Sequence, residues 1–427
     1  MKNDPRSHGL WERTAAPAPL TPALAEHIKV DVLVVGAGFT GLSAALHLAE
    51  AGSRVAVLEG EEIGFGGSGR NVGLVNAGMW VMPDDLPGEL GPIYGDRLLD
   101  LLGNAPKLVF ELVARHAIDC EIMPVGTLHC AVGTKGLKEI EERATQWQRR
   151  GAPVELLDAR AAASLIGTSA YAGALLDRRA GTIQPLAYVR GLARAAMAAG
   201  ARLYSGSPVE SVVRDGQGWM AKTPRGAVSA PWIVVATNAY TRTPWPAVRA
   251  ELVHLPYFNF ATEPLTDNVR RSILPEQQGA WDTEEVLSSF RFDAAGRLVF
   301  GSVGALRGTG LSVHKFWARR MLRRLFPQLG EIRFESEWYG HIGMTANNLP
   351  RFHRFAPGVV GFSGYNGRGI APGTVFGREL ARLVLGQITE ADLPLPVTDP
   401  RAEPFRFIKE TVYEVGAQAA HLKAALF

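Results

Sequence analysis

Gly36, Gly38 and Gly41 fall in the spacing G-x-G-x-x-G, and Glu59 follows 23 residues after Gly36. Glycines so spaced let a chain turn tightly, bring backbone against a phosphate with no Cβ between, and pack a helix closely on a strand. A helix starting there offers free N–H groups and the positive end of its dipole to an anion. A carboxylate placed as Glu59 is can accept both hydroxyls of a ribose, and it repels a 2′-phosphate, which argues against an NADP-type ligand. Phe39, Thr40 and Gly60 flank these positions and join the candidate set. The chemistry implied is the holding of a dinucleotide.

Two further stretches have the same character. Ile63-Gly64-Phe65-Gly66-Gly67-Ser68-Gly69-Arg70-Asn71-Val72-Gly73-Leu74 holds five glycines in ten residues, directly after the acid. Backbone of that kind turns sharply or approaches something closely, and Gly67, Ser68, Arg70, Asn71, Gly73 and Leu74 are candidate ligand contacts. Near the C-terminus, Gly364-Tyr365-Asn366-Gly367-Arg368-Gly369-Ile370 again precedes a helical pattern.

The elements that must position these residues can be read around them. Val30–Val35 is a short β-branched run suited to a strand buried on both faces. Leu42, Ala45, Leu46 and Ala49 repeat with helical spacing up to Gly52, and Arg54–Leu58 is a second strand ending at the acid. Prolines 17, 19 and 22 make residues 1–29 an extended arm. Helical spacing predicts helices within 93–118, over 135–150 and from Leu186 to Ala199. Short strands follow at Ala201–Tyr204, Val209–Arg214, Gly218–Thr223 and Ala227–Ser229, leading to Trp232–Ala236 and then Thr237. From 250 to 340 the strands lengthen (Leu252–Thr262, Val286–Phe292, Leu298–Ser302, Ile332–Tyr339) around one helix, about Lys315–Phe326. Arg319, Arg320, Arg323 and Arg324 on that helix read as a solvated face. Val359–Ser363 is a strand, Thr374–Leu385 a helix, and Val412–Leu426 a short amphipathic helix. The division drawn from this is a Rossmann-like dinucleotide unit (1–85, 151–248 and 340–427) and a mixed-sheet substrate unit (86–150 and 249–339), an α/β plus α+β architecture.

Composition narrows the function classes. The chain has 427 residues, 47% apolar and 20% charged, with a net charge of +3, so no nucleic-acid or other polyanion partner is implied. Cys120 and Cys130 are too few for a disulfide framework and lack zinc-ligand spacing, so no metal site is read. No segment has the ~18 consecutive apolar residues of a membrane span and no leader is visible, which points to the cytoplasm with no integral membrane segment. Oligomeric state is left open.

With these stretches in hand, the chain resembles the FAD-dependent oxidoreductases of the D-amino acid oxidase, glycine oxidase and sarcosine oxidase superfamily, and within it the gamma-glutamylputrescine oxidoreductases. The resemblance runs over nearly the whole chain through the fingerprint, Gly66-Gly67-Ser68-Gly69-Arg70-Asn71, Ala236-Thr237-Asn238-Ala239-Tyr240 and the closing glycine loop. It implies FAD lying extended along the first unit, with Val209 contacting the adenine side through its backbone and Ala236 and Thr237 among the cofactor-binding residues. Gly367, Arg368, Gly369 and Ile370 would reach the flavin. No Cys or His stands where covalently flavinylated members carry one, so non-covalent FAD is expected. Glycine oxidase-like members clamp the substrate carboxylate with an arginine two residues after the glycine ending the last long strand; here Gly340-His341-Ile342 puts isoleucine there. Arg368, shifted by one in the closing loop, leaves a weakened carboxylate site.

The reading is an enzyme oxidising a C–N bond of a small amine, such as a gamma-glutamyl polyamine, by hydride transfer to flavin N5, giving an imine that hydrolyses. His341, Tyr257 and Arg368 are the catalytic candidates, with Met79 and Trp80 as further pocket walls. Two alternatives stay open: an α-amino acid or N-methyl amino acid oxidoreductase using Arg368, and a flavoprotein whose FAD is structural and which serves a partner protein.

Overall fold

The computed structural model describes residues 8–426. Val32–Val35 is an inner strand of a seven-stranded sheet, next to the central one, with all four side chains buried. Val55–Leu58 and Arg202–Tyr204 run parallel to it on one side, and Trp232–Val235 and Val359–Ser363 on the other. Arg351–Ala356 turns back antiparallel, and Val397–Thr398 closes that edge. Because strand side chains alternate, the two faces enter different cores. Val32 and Val34 pack with the helices Phe39–Glu50, Pro185–Ala198 and Ile370–Val384. Leu33 and Val35 pack with a four-stranded sheet of His27–Lys29, Ala227–Ala230, Gly218–Lys222 and Ser211–Asp215. A strand apolar on every side chain is what this three-layer burial requires.

The second large sheet has eight strands, in the order Phe334–Met344, Val253–Thr262, Leu298–Val303, Ser288–Phe292, Gly279–Asp282, Thr127–Ala131, Gly173–Asp177, Val154–Asp158. It is antiparallel except where Gly279–Asp282 lies parallel to Thr127–Ala131. Its own core packs under the helices Ala159–Ile166 and Gly310–Leu325. The fold is thus the expected pair: a Rossmann-like unit and a mixed-sheet unit.

The boundaries drawn from sequence need correction. Val154–Asp158 and Gly173–Asp177 belong to the eight-stranded sheet, so 151–177 does not lie with the dinucleotide unit. Conversely, the helices Pro92–Gly103 and Ala105–Arg115 pack on Ile370–Val384 and share the first core. The C-terminal helix, Arg406–Leu426, packs on Gly310–Leu325 and Val253–Thr262, beside the second sheet. Periodicity locates elements, whereas which sheet they join depends on pairings between residues far apart in the chain.

The N-terminal arm also differs from expectation. Residues 1–7 lie outside the described residues, but Leu10–Thr14 is a helical turn with Leu10 and Trp11 fully buried, and the prolines keep only 15–25 extended. Trp11 packs edge-on to Trp338 at 5.3 Å, between the two units. Arg320, Arg323 and Arg324 are exposed, as read; Arg319 is half-buried.

Candidate active site

The three glycine-rich stretches converge on one cavity of about 620 Å³. Gly36 has φ +105°, and a Cβ on it would stand 2.8 Å from the Ala236 carbonyl oxygen. At Gly38 a Cβ would stand 2.9 Å from Ser68 Oγ, which already accepts the Phe39 N–H at 3.1 Å. The helix Phe39–Glu50 starts there with no capping bond from its N-cap side chain, and Ile370–Val384 starts in the same way at Gly369. Two helix starts with glycine N-caps on one cavity leave dipole ends, and backbone donors beyond the Phe39 N–H that Ser68 takes, for an anion. Thr40 and Tyr365 join the two through a hydroxyl–hydroxyl bond of 2.7 Å.

Glu59 accepts the Ala37 N–H at 2.8 Å and the Glu61 N–H at 3.0 Å, so the acid also braces the first glycine turn. Burial pushes its pKa up, and those backbone donors oppose the rise. In the second loop, Asn71 Nδ2 donates to the Gly67 and Ser68 carbonyls at 2.9 and 3.0 Å, while its Oδ1 accepts the Gly73 N–H at 2.9 Å. The Arg70 guanidinium is buried over the Phe65 ring at 4.4 Å.

Of the residues read as cofactor-binding, Gly36, Gly38, Phe39, Thr40, Glu59, Gly60, Gly67, Ser68, Arg70, Asn71, Leu74, Val209, Ala236, Thr237, Gly367, Arg368, Gly369 and Ile370 line the cavity. Gly41 and Gly73 lie behind it: a Cβ on Gly41 would strike the Gly36 carbonyl, and one on Gly73 the Ile183 carbonyl. Both are packing glycines.

The other end of the cavity is walled by Trp80, Tyr257, His341, Ile342 and Arg368. Met79 is a correction: it is buried in the first core, and its carbonyl accepts from Arg143 at 3.2 Å. His341 stacks on His254 at 5.0 Å; burial, then the nearby His254, push its pKa down to about 4, so the ring is neutral at ordinary pH. Its Nδ1 is buried with no partner among the described residues. Tyr257 shares a 2.7 Å hydroxyl bond with Ser289, and burial raises its pKa. Ile342 packs next to Gly367, where a Cβ would stand 3.2 Å from its Cδ1.

Arg368 sits between two indoles, its guanidinium 4.8 Å from the Trp80 ring and 4.8 Å from the Trp281 ring. Nη1 donates to the Ala77 carbonyl at 2.9 Å, and Nε has no partner among the described residues. Burial, then the neighbouring Arg143, push its pKa down to about 9. Trp281, His129 and Asp282 were missed from sequence. Trp281 stacks on His129 at 3.5 Å and lies on a four-residue strand too short to show periodicity. Asp282 accepts the Glu284 and Ser288 N–H groups at 3.1 Å each, and burial pushes it up to about 6.

Comparison with known proteins assigns this architecture. The profile of the family described as FAD dependent oxidoreductase matches residues 31–383. The chain belongs to that family of FAD-dependent oxidoreductases. This oxidoreductase is 34% identical over 377 residues to the gamma-glutamylputrescine oxidoreductase of Escherichia coli, covering 86% of this chain and 87% of that protein. Glycine oxidase from Geobacillus kaustophilus superposes with a TM-score of 0.71 at 22% identity, over 87% of this chain and 99% of its own. An L-amino acid deaminase from Proteus myxofaciens gives 0.71 at 15% identity, over 90% and 95%. The last two show a shared fold. The residues present fit the cofactor the family requires: two helix starts with glycine N-caps, a glycine at which any side chain would fill the turn, and a carboxylate at the end of the second strand all meet one cavity.

Proposed function

We propose that this FAD-dependent oxidoreductase oxidises the C–N bond of a small amine. The supporting observation is the strand end Gly340–Gly343: it gives the cavity a neutral His341 and an aliphatic Ile342, with no cation at either position. A side chain of that kind cannot make a bidentate pair with an α-carboxylate. The relationship to a gamma-glutamylputrescine oxidoreductase supports the same substrate class.

Bound FAD, held without a covalent link, supplies the hydride acceptor for the carbon next to nitrogen. The Gly36–Gly41 turn, Glu59, Ser68 and the start of the Ile370 helix would hold it. An ammonium gives up hydride poorly, so the site must favour the neutral amine. The Trp80, Tyr257 and Ile342 walls do this by withholding water from the charged form. His341, uncharged above about pH 4, accepts a hydrogen bond from the amine without adding charge. The imine product is hydrolysed by water.

Arg368 favours a second reading. A buried guanidinium with no carboxylate partner among the described residues suits a substrate carboxylate, whether on an amino acid or on the far end of an amine. Anaerobic bleaching of the flavin, run with amines and their α-carboxylated analogues, tests both. Faster reduction by the amine supports the proposal, faster reduction by the analogue supports the second reading, and no bleaching by either class removes both.

A further inference from the structure

One face of the eight-stranded sheet lines the cavity, and its two ends differ in charge. On the first two strands Ile342 lies opposite Leu255, and Tyr257 and Asn259 follow Leu255 on the same face at two-residue steps. Asn259 lies opposite Gly301, Gly301 opposite Ser289, Ser289 opposite Trp281, and Trp281 opposite His129. Residues opposite one another share a face, so one surface runs from Ile342 and Leu255 to Trp281 and His129. Three strand spacings separate the Tyr257 strand from the Trp281 strand, roughly 14 Å. The Ile342 end carries no charge, which suits the neutral amine.

Hydrogen-bond donors collect at the Trp281 end. Arg368, held between the indoles and 9% exposed, has no partner for Nε among the described residues. The Thr127 hydroxyl donates to Asn76 Oδ1 at 2.8 Å, which leaves the Asn76 amide NH2 for the cavity that residue lines. His129 is 4% exposed; burial, then Arg143 and Arg368, hold its pKa well below the ordinary value, so the ring is neutral. Its Nδ1 is sealed in with no partner among the described residues. The one ring proton therefore belongs on Nε2, where a ligand in the cavity can accept it.

The charges nearby leave one cation over. Arg179 is bonded to Asp177 at 2.9 and 2.6 Å, and Arg143 is paired with Glu139 at 3.7 Å. Asp282 is occupied by the N–H groups of Glu284 and Ser288, and Glu284 and Glu285 are exposed, where solvent screens them. Arg368 has no carboxylate among the described residues, and a buried charge without a counter-ion is costly. A carboxylate brings the single negative charge that balances it and two oxygens for the donors.

We propose that the Trp281 end of the cavity is a carboxylate subsite, with Arg368, His129 and Asn76 as its donors. Resting on the amine reading, the substrate is then an amine with a carboxylate at its far end, several carbons from the bond that is oxidised. The test follows anaerobic flavin reduction in the FAD-loaded full-length protein. Straight-chain alkylamines are compared with ω-amino carboxylates of the same carbon count, from glycine to 8-aminooctanoate. At its best length the carboxylate should lower the apparent dissociation constant about tenfold or more, with the limiting rate of reduction little changed. His129→Phe, which keeps a ring stacked on Trp281, and Arg368→Met should each remove most of that advantage. The two substrates are compared within one variant, so a general loss of activity cancels. Hexanoate, which has no amine to oxidise, should bind the wild type in calorimetry and bind both variants about tenfold or more weakly. Alkylamines that bleach the flavin with no gain from a carboxylate at any length overturn the subsite, as does a gain confined to glycine. If neither series bleaches the flavin, the amine reading falls and hexanoate alone decides. Binding that depends on His129 and Arg368 then upholds the subsite, and absent or unchanged binding overturns it.

Discussion

The Trp11 indole N–H donates to the Asn71 carbonyl at 2.9 Å, tying the N-terminal segment to the glycine-rich loop on the cavity wall. Trp338, from the eight-stranded sheet, donates to the adjacent Arg70 carbonyl at 3.0 Å. Two indoles, one from the N-terminal segment and one from the eight-stranded sheet, thus hold this glycine-rich loop from outside it. Trp11→Ala is expected to cost about 3–5 kcal/mol of stability as a large buried ring is lost, and to release FAD. Trp11→Phe, which keeps the ring but loses the hydrogen bond, should cost only about 1 kcal/mol for that bond and retain flavin. Thermal unfolding and visible absorbance per mole of protein measure both. Full flavin content in a folded Trp11→Ala protein would show that the loop stands without this strut.

Gly38→Val is expected to abolish FAD retention, because the branched side chain would press on Ser68 Oγ and fill the turn the pyrophosphate must approach. In wild-type protein the flavin should leave with acid precipitation, in keeping with non-covalent binding. Normal flavin content in a folded Gly38→Val protein would move the binding site elsewhere.

Substrate charge can be read from two positions. An amine should reduce the flavin with higher kcat/KM than the amino acid of the same side chain. Ile342→Arg should narrow or reverse that preference, since a charge-assisted hydrogen bond contributes about 1.5–3 kcal/mol, or one to two powers of ten. Arg368→Met, which keeps an apolar stem between the Trp80 and Trp281 rings, should leave amine turnover largely intact. A wild type that prefers the carboxylated compound, and loses that preference in Arg368→Met, would identify Arg368 as the carboxylate clamp.

The buried histidines predict the response to acid. Burial pushes His341 and His314 down to about 4 and His421 to about 3, from 6.5 in the open chain. Between those values the unfolded chain binds protons that the folded protein refuses. Their contribution to stability is therefore complete above about pH 6.5 and is lost as pH falls toward the folded values, by up to about 1.4 kcal/mol per pH unit for each group. His421→Asn should flatten the loss between about pH 6 and pH 5 in denaturant titrations. An unchanged slope would mean that His421 is protonated in the folded protein.

The Gly36–Glu59 segment was legible because its determinants are local: four apolar residues for a strand buried on both faces, glycines where backbone must approach a phosphate or a neighbouring carbonyl, helical spacing, and an acid at the next strand's end. The closing loop and four strands of the second sheet, Val253–Thr262, Ser288–Phe292, Leu298–Val303 and Phe334–Met344, could be read for the same reason, to within a few residues at their ends. Trp11 could not be placed. A tryptophan among prolines looks like part of a surface arm, and only Trp338, Gln184 and Asn71, brought to it from distant parts of the chain, explain its burial. The membership of Val154–Asp158 in the eight-stranded sheet was equally hidden, since strand pairing is a long-range choice that a short strand's composition does not encode. The same holds at the substrate end, where the sequence by itself determined that Arg368 sits in a loop closing the cofactor unit and that isoleucine stands at position 342. The tertiary structure alone decided that Arg368 is held between Trp80 and Trp281, because ring, ring and cation come from three separate elements. Burial by those elements also sets its charge and that of His341: desolvation depends on what packs around a group, and no stretch of sequence carries that.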